Sequence, residues 1–158
     1  MRSRYQAIKY FFLGVSVCSV MMLSLQQKCI NKWKKAAQKN RGLFRLMDQW
    51  TNIKQEGKHL DMYFIKNNYK NIAIYGMGYV GIRLAKELKG SQIKIVYGID
   101  RNADNIYSDV KVITMDNKLS KVDAIVVTVM DEFDEVSEML SEKVGCAIIA
   151  IEDIINEI

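Results

Sequence analysis

Three glycines, Gly76, Gly78 and Gly81, stand in the stretch IYGMGYVGIRLAKEL (residues 74 to 88) of a chain that has nine in all. Their G-x-G-x-x-G spacing is that of a phosphate-cradling turn, a signal whose worth depends on its flanks. Ahead of it, Ile72, Ala73, Ile74 and Tyr75 form a short apolar run suited to a strand. After it, Gly81, Leu84, Ala85 and Leu88 recur at helical spacing, while Arg83, Lys86, Glu87 and Lys89 take the other face. In a strand–turn–helix unit each glycine has a separate reason. Gly76 permits the sharp turn, Gly78 lets a pyrophosphate approach the backbone, and Gly81 lets the helix pack closely on the sheet. The free N–H groups of the first helical turn then point at phosphate oxygens.

A dinucleotide site also needs an acid at the tip of the next strand. IKIVYGID (residues 93 to 100) reads as that strand and ends in Asp100, 19 residues beyond Gly81. A carboxylate there accepts hydrogen bonds from ribose hydroxyls. The plainer alternative is that Asp100 and Asn102 only cap a turn. Asp100 favours a free ribose 2′-hydroxyl over a 2′-phosphate, and the adjacent Arg101 softens that exclusion. Gly76, Met77, Gly78, Tyr79, Val80, Gly81, Asp100, Arg101 and Thr128 make up the candidate cofactor-binding set, and NAD or a related nucleotide is the cofactor expected.

Catalytic machinery is harder to find. His59, the one histidine, falls in a polar stretch ahead of the glycine turn and reads as solvated surface. Tyr5 and Lys9 have the Tyr-x-x-x-Lys spacing of short-chain dehydrogenases but lie upstream in a different kind of segment. With one His and scattered Cys18, Cys29 and Cys146, neither a metal-ligand cluster nor a disulfide framework is expected. No nucleophile–base pair can be assigned, so a complete enzyme is not the expectation.

The elements that must hold the site follow from periodicity. VKVI (110 to 113) is a short strand, and VDAIVVTV (122 to 129) is a near-continuous apolar run, as for a strand covered on both faces. DEFDEVSEMLSEK supplies a helix, CAIIAI (146 to 151) a fifth strand and EDIINEI a last short helix. Strands alternating with helices indicate parallel pairing. The fold expected is α/β: a Rossmann-like parallel five-stranded sheet flanked by helices, over residues 70 to 158.

Charge divides the chain. Residues 1 to 47 hold ten Lys and Arg and no Asp or Glu, whereas residues 48 to 158 hold 13 basic and 18 acidic residues. The overall charge of +5 is thus a basic end joined to a mildly acidic domain, which excludes reading the basic balance as nucleic-acid binding. Within the basic end, YFFLGVSVCSVMMLSL (10 to 25) is uncharged. As a helix its 16 residues span about 24 Å, and extension to Ile30 with Lys28 snorkelling reaches bilayer length. A membrane anchor over residues 1 to 30 is expected first, a cleaved signal peptide second, and a buried helix third. Three basic residues precede the run and seven follow within 20 residues, so the positive-inside rule places the C-terminal side in the cytoplasm. Residues 31 to 69 form a basic helical connector. In it Leu43, Leu46, Met47, Trp50 and Ile53 share one helical face, Gly57 breaks the helix, and LDMYFIKNN restarts it. That face packs on the sheet or on its own neighbouring helix or, on sharper readings, forms a dimer seam or an interfacial helix held by anionic lipid through the lysines.

IAIYGMGYVGIRLAKEL, VYGIDRN, VDAIVVTV and CAIIAIEDII together resemble the small nucleotide-binding-type domain of bacterial polysaccharide-synthesis proteins. Such domains occur in membrane-bound nucleotide-sugar epimerases and dehydratases and ahead of the catalytic part of sugar acyltransferases. The resemblance covers roughly residues 58 to 158. It implies binding of a nucleotide, dinucleotide or nucleotide-sugar through Gly76, Gly78, Gly81 and Asp100, and no catalysis, since the chemistry of such proteins usually belongs to another domain. The function expected is a membrane-anchored, cytoplasm-facing nucleotide-binding module, accessory or regulatory in envelope polysaccharide or nucleotide-sugar metabolism. The alternatives are an epimerase- or dehydratase-like enzyme subunit completed by a partner, and a protein-binding scaffold without ligand. Partners expected are the nucleotide, membrane lipid, and a second copy or a polysaccharide-synthesis enzyme.

Overall fold

A computed structural model of the chain describes the backbone of residues 2–158 and the side chains of residues 22–158. Its elements are α1 (Arg2–Gln55), α2 (Asp61–Lys66), β1 (Asn71–Tyr75), α3 (Tyr79–Glu87), β2 (Lys94–Ile99), β3 (Val112–Ile113), β4 (Ala124–Val127), α4 (Phe133–Ser141), β5 (Ala147–Ala150) and α5 (Ile151–Glu157). Two compact units result, Met1–Leu43 and Phe44–Ile158.

The first unit is α1 up to Leu43. The helix continues without interruption past residue 30, where the anchor was expected to give way to the connector. Apart from residues 22–30, the expected membrane anchor lies outside the residues whose side chains are described, as do Tyr5, Lys9 and Cys18. Among the described residues, no helix is long and apolar enough to cross a membrane.

In the second unit the last turns of α1 join the core. Leu46, Trp50 and Ile53 are buried, while Lys54 reaches Glu87 of α3 at 2.8 Å and Gln49 reaches Asn156 of α5 at 3.3 Å. For these three side chains, packing within the domain prevails over the dimer seam and the lipid-facing helix. The helix stops at Gly57, whose φ of 73° lies in the left-handed region. There Lys58 N–H donates to Ile53 O (3.0 Å) and Gly57 N–H to Lys54 O (3.1 Å), the paired bonds that satisfy carbonyls at a helix end.

The sheet is parallel throughout, in the order β3-β2-β1-β4-β5. Alternating side chains of its strands serve opposite faces. Ala73, Tyr75, Tyr97, Ile99, Ile125 and Val127 pack with Val136 and Leu140 of α4. Ile74 faces the other way, against Gly81 of α3. The alternation of strand and helix is incomplete, however. Only a 3-10 turn (Ala103–Asn105) separates β2 from β3, and no helix separates β3 from β4. DRNADNIYSD and TMDNKLSKVD are rich in Asn, Asp and Ser, which bond locally and favour turns, and neither carries a helical apolar stripe. Met115 and Leu119 from the second of these loops cover the sheet where a helix would have lain.

At the N-terminal edge of the sheet, Asp123 ties β1 to β4. Its Oδ2 accepts the N–H groups of Asn71 (2.7 Å) and Lys70 (2.9 Å), and its own N–H donates to Asn71 O (2.7 Å). Those backbone donors hold its carboxyl below the ordinary value. A depressed native pKa gives stability that is complete above the unfolded pKa of about 3.9 and is lost as pH falls through the native value. Asp123→Asn therefore lowers stability at neutral pH and flattens the decline below about pH 4, which urea unfolding across that range measures.

Candidate functional site

Strand register builds the site. Tyr75 pairs with both Ile99 and Val127, so β1, β2 and β4 end level. The residues that follow, Gly76, Asp100 and Thr128, emerge together at the C-terminal edge. Strand order reverses between β1 and β4, and a crevice opens outside the strand ends at such a switch point, where doubly wound folds take their ligands.

The turn from β1 into α3 is pinned from both sides. Gly76 has φ of 90°, and a Cβ there would stand 2.5 Å from Val129 Cγ2 and 2.8 Å from Thr128 Oγ1. Gly76 N–H donates to Ile99 O at 2.8 Å. The buried Thr128 hydroxyl donates to Gly76 O at 2.5 Å, with Tyr75 O at 3.1 Å. Asp100 Oδ2 accepts Met77 N–H and Oδ1 accepts Asn102 N–H, both at 2.9 Å. Asp100 therefore caps its own loop and also joins that loop to the glycine turn. With one bond on each oxygen, its carboxylate retains further acceptor capacity for a ribose diol.

The three glycines differ in what requires them. At Gly81 a Cβ would lie 2.2 Å from Gly76 O, so close approach of α3 to the turn excludes any side chain. At Gly78, the residue capping α3, φ is −79° and nothing lies within 4 Å of a built Cβ. No side chain caps this helix, and the N–H groups of its first turn have no partner within the helix by construction.

The remaining candidates are spread around the turn. The Met77 side chain is fully buried, filling the space over Gly98, where a Cβ would stand 2.5 Å from Met77 Cγ. Met77 thus presents only backbone to the crevice. Val80 is buried, while Tyr79 is 67% exposed with the Arg83 guanidinium 5.3 Å over its ring. Arg101 extends across the mouth to an ion pair with Glu132, from the loop after β4. Beneath them is the Tyr75 phenol, whose pKa is raised by burial, against the opposing pull of Arg101. Tyr75, Gly98 and Glu132 escape the sequence reading. Gly98 carried a signal, since a glycine inside a strand run marks close approach; the other two become neighbours of the turn only through strand register.

His59 lies elsewhere, 2.8 Å from Lys54 Nζ at the far end of α3. Cys29 and Cys146 are free thiols. Among the described residues no group of three His, Cys, Asp or Glu is arranged to hold a metal ion. A cavity of about 350 Å³ lies between the end of α3, β2 and the Tyr107–Val110 loop, away from the glycine turn. The geometry suits the chemistry of holding a phosphate against backbone N–H groups with a carboxylate beside it.

The class defined by this fold and crevice is a small α/β domain with a parallel five-stranded sheet in the central order of the doubly wound fold. No protein-family profile matches the chain, and no curated protein or solved structure is significantly similar to it.

Proposed function

We propose that the domain binds a nucleotide with a free ribose diol, NAD or a close relative, and presents it as an accessory or regulatory module rather than turning it over. Gly78 carries this reading. Gly76 and Gly81 are required by the fold itself, whereas Gly78 has neither a positive φ nor a crowded Cα. A phosphate approaching the free N–H groups of α3 supplies the missing reason for glycine there. Asp100, level with the turn, supplies the ribose acceptor.

Two electrostatic features favour NAD over more highly charged ligands. Arg101 is engaged by Glu132, so a 2′-phosphate must break that pair to use it. Asp131, Glu132, Asp134 and Glu135 follow β4 in the chain and carry negative charge. Titration calorimetry is expected to give tighter binding of NAD than of NADP, coenzyme A or ATP, with Asp100→Ala lowering NAD affinity about tenfold or more, the equivalent of one lost charge-assisted hydrogen bond. Equal affinity for NAD and NADP would count against the assignment of Asp100.

In the same proposal Tyr10–Leu25 tethers the protein to the inner membrane face, with residues 48 to 158 in the cytoplasm, where nucleotides are. The resemblance to domains of polysaccharide-synthesis proteins makes envelope polysaccharide or nucleotide-sugar metabolism the setting. A reporter cysteine at exposed Lys118 is expected to resist a membrane-impermeant reagent in intact cells and to react after lysis. Labelling of intact cells would overturn the topology.

A further inference from the structure

Upstream of its buried last turns, α1 carries an exposed apolar face. Between Lys28 and Leu43, helical spacing gathers Cys29, Ile30, Trp33, Ala36, Ala37 and Leu43 into an arc of about 140°, with Asn40 its one polar member. Lys28, Lys32, Lys34, Lys35, Lys39 and Arg41 all fall outside that arc, and no acid accompanies them. Trp33 is 72% exposed and Ile30 47%.

Three surroundings compete for this face. Water leaves a tryptophan and an isoleucine of one stripe uncovered. A second copy covers the stripe but aligns two helices that carry only positive charge over this stretch, with no acid to pair across the seam. An anionic lipid surface answers both features. Its acyl boundary takes the apolar stripe, its phosphates and carboxylates take the flanking cations, and Lys32 and Arg41 at the edges of the arc can extend their stems along the apolar face to reach headgroups. We infer that residues 28–43 of α1 form an amphipathic helix that lies on an anionic lipid surface, with Ile30, Trp33 and Ala37 inserted at the headgroup boundary. These residues differ from the buried Leu46, Trp50 and Ile53. The inference holds whether or not the glycine turn binds a nucleotide.

Trp33 is the reporter. The full-length protein is mixed with phosphatidylcholine vesicles, with or without one part in three of phosphatidylserine, and with brominated acyl chains as quencher. Subtracting the emission of Trp33→Phe isolates Trp33 from Trp50. The expected result is a blue shift and quenching of Trp33 in the phosphatidylserine vesicles, reduced several-fold in neutral ones and in a variant with Lys32, Lys34, Lys35 and Lys39 changed to Gln. If the protein fails to associate with neutral vesicles while Trp33 is quenched in anionic ones, the inference stands and the Tyr10–Leu25 anchor falls. Emission typical of water in both vesicle types would overturn the inference. So would a blue shift without quenching in both, the mark of a second copy, or equal quenching in both, which would make the basic residues irrelevant.

Discussion

Gly81→Ala, the smallest side chain that can be added, is expected to destabilise the fold by about 2 kcal/mol or more. The new Cβ would stand 2.2 Å from Gly76 O, 3.1 Å from Gly76 C and 3.3 Å from Ile74 Cγ2. Two of those atoms are backbone of a turn already fixed by Thr128 and Ile99, so no flexible side-chain end can yield. Overpacking against a rigid neighbour costs about 3 kcal/mol at the upper end of its usual range. Replacing a helical glycine with alanine returns about 1 kcal/mol, which does not offset it. Urea unfolding should show the loss as a lower midpoint with little change in slope.

Gly78→Val should separate binding from folding. Its Cβ meets open space and its backbone φ of −79° suits any residue, so the stability change is expected to stay within about 1 kcal/mol, mostly the weaker helix cap. The same two branches occupy the approach to the N–H groups of α3. Nucleotide affinity is expected to fall about a hundredfold, near 2.7 kcal/mol. Calorimetric titration of the variant, with its unfolding curve taken alongside, reads both quantities. Intact affinity would remove the phosphate-binding role of this turn.

Much of this arrangement is legible in the sequence because it is local. The strand–turn–helix around Gly76 is specified by a switch from an apolar run to helical spacing within some fifteen residues. The β4 strand was legible as a continuous apolar run because both of its faces are covered. The connections around β3 lack an apolar stripe, and the sequence assigns no α-helix to either, as the structure has it; coverage of the sheet there by Met115 and Leu119 is a tertiary solution that no local pattern announces. The partners of the turn were hidden for the same reason. Glu132 meets Arg101, and Asp100 meets Met77, only because parallel register brings the ends of β1, β2 and β4 level. Spacing alone gives each glycine its own reason, but the contrast between crowded Gly81 and open Gly78 arises only from the packing of α3 against the turn.

The central claim is that this crevice holds a nucleotide, and ligand-dependent thermal unfolding of the wild-type chain tests it most directly. The panel is NAD, NADP, a UDP-sugar, coenzyme A and ATP, each in large excess. A ligand that binds only the folded state at a hundred times its Kd adds about 2.7 kcal/mol and raises the midpoint by several degrees. The account predicts that rise with NAD, a smaller one with NADP, and none from coenzyme A or ATP at equal concentration. A midpoint unmoved by every member of the panel would contradict it, leaving a domain with the glycines of a nucleotide turn and no nucleotide.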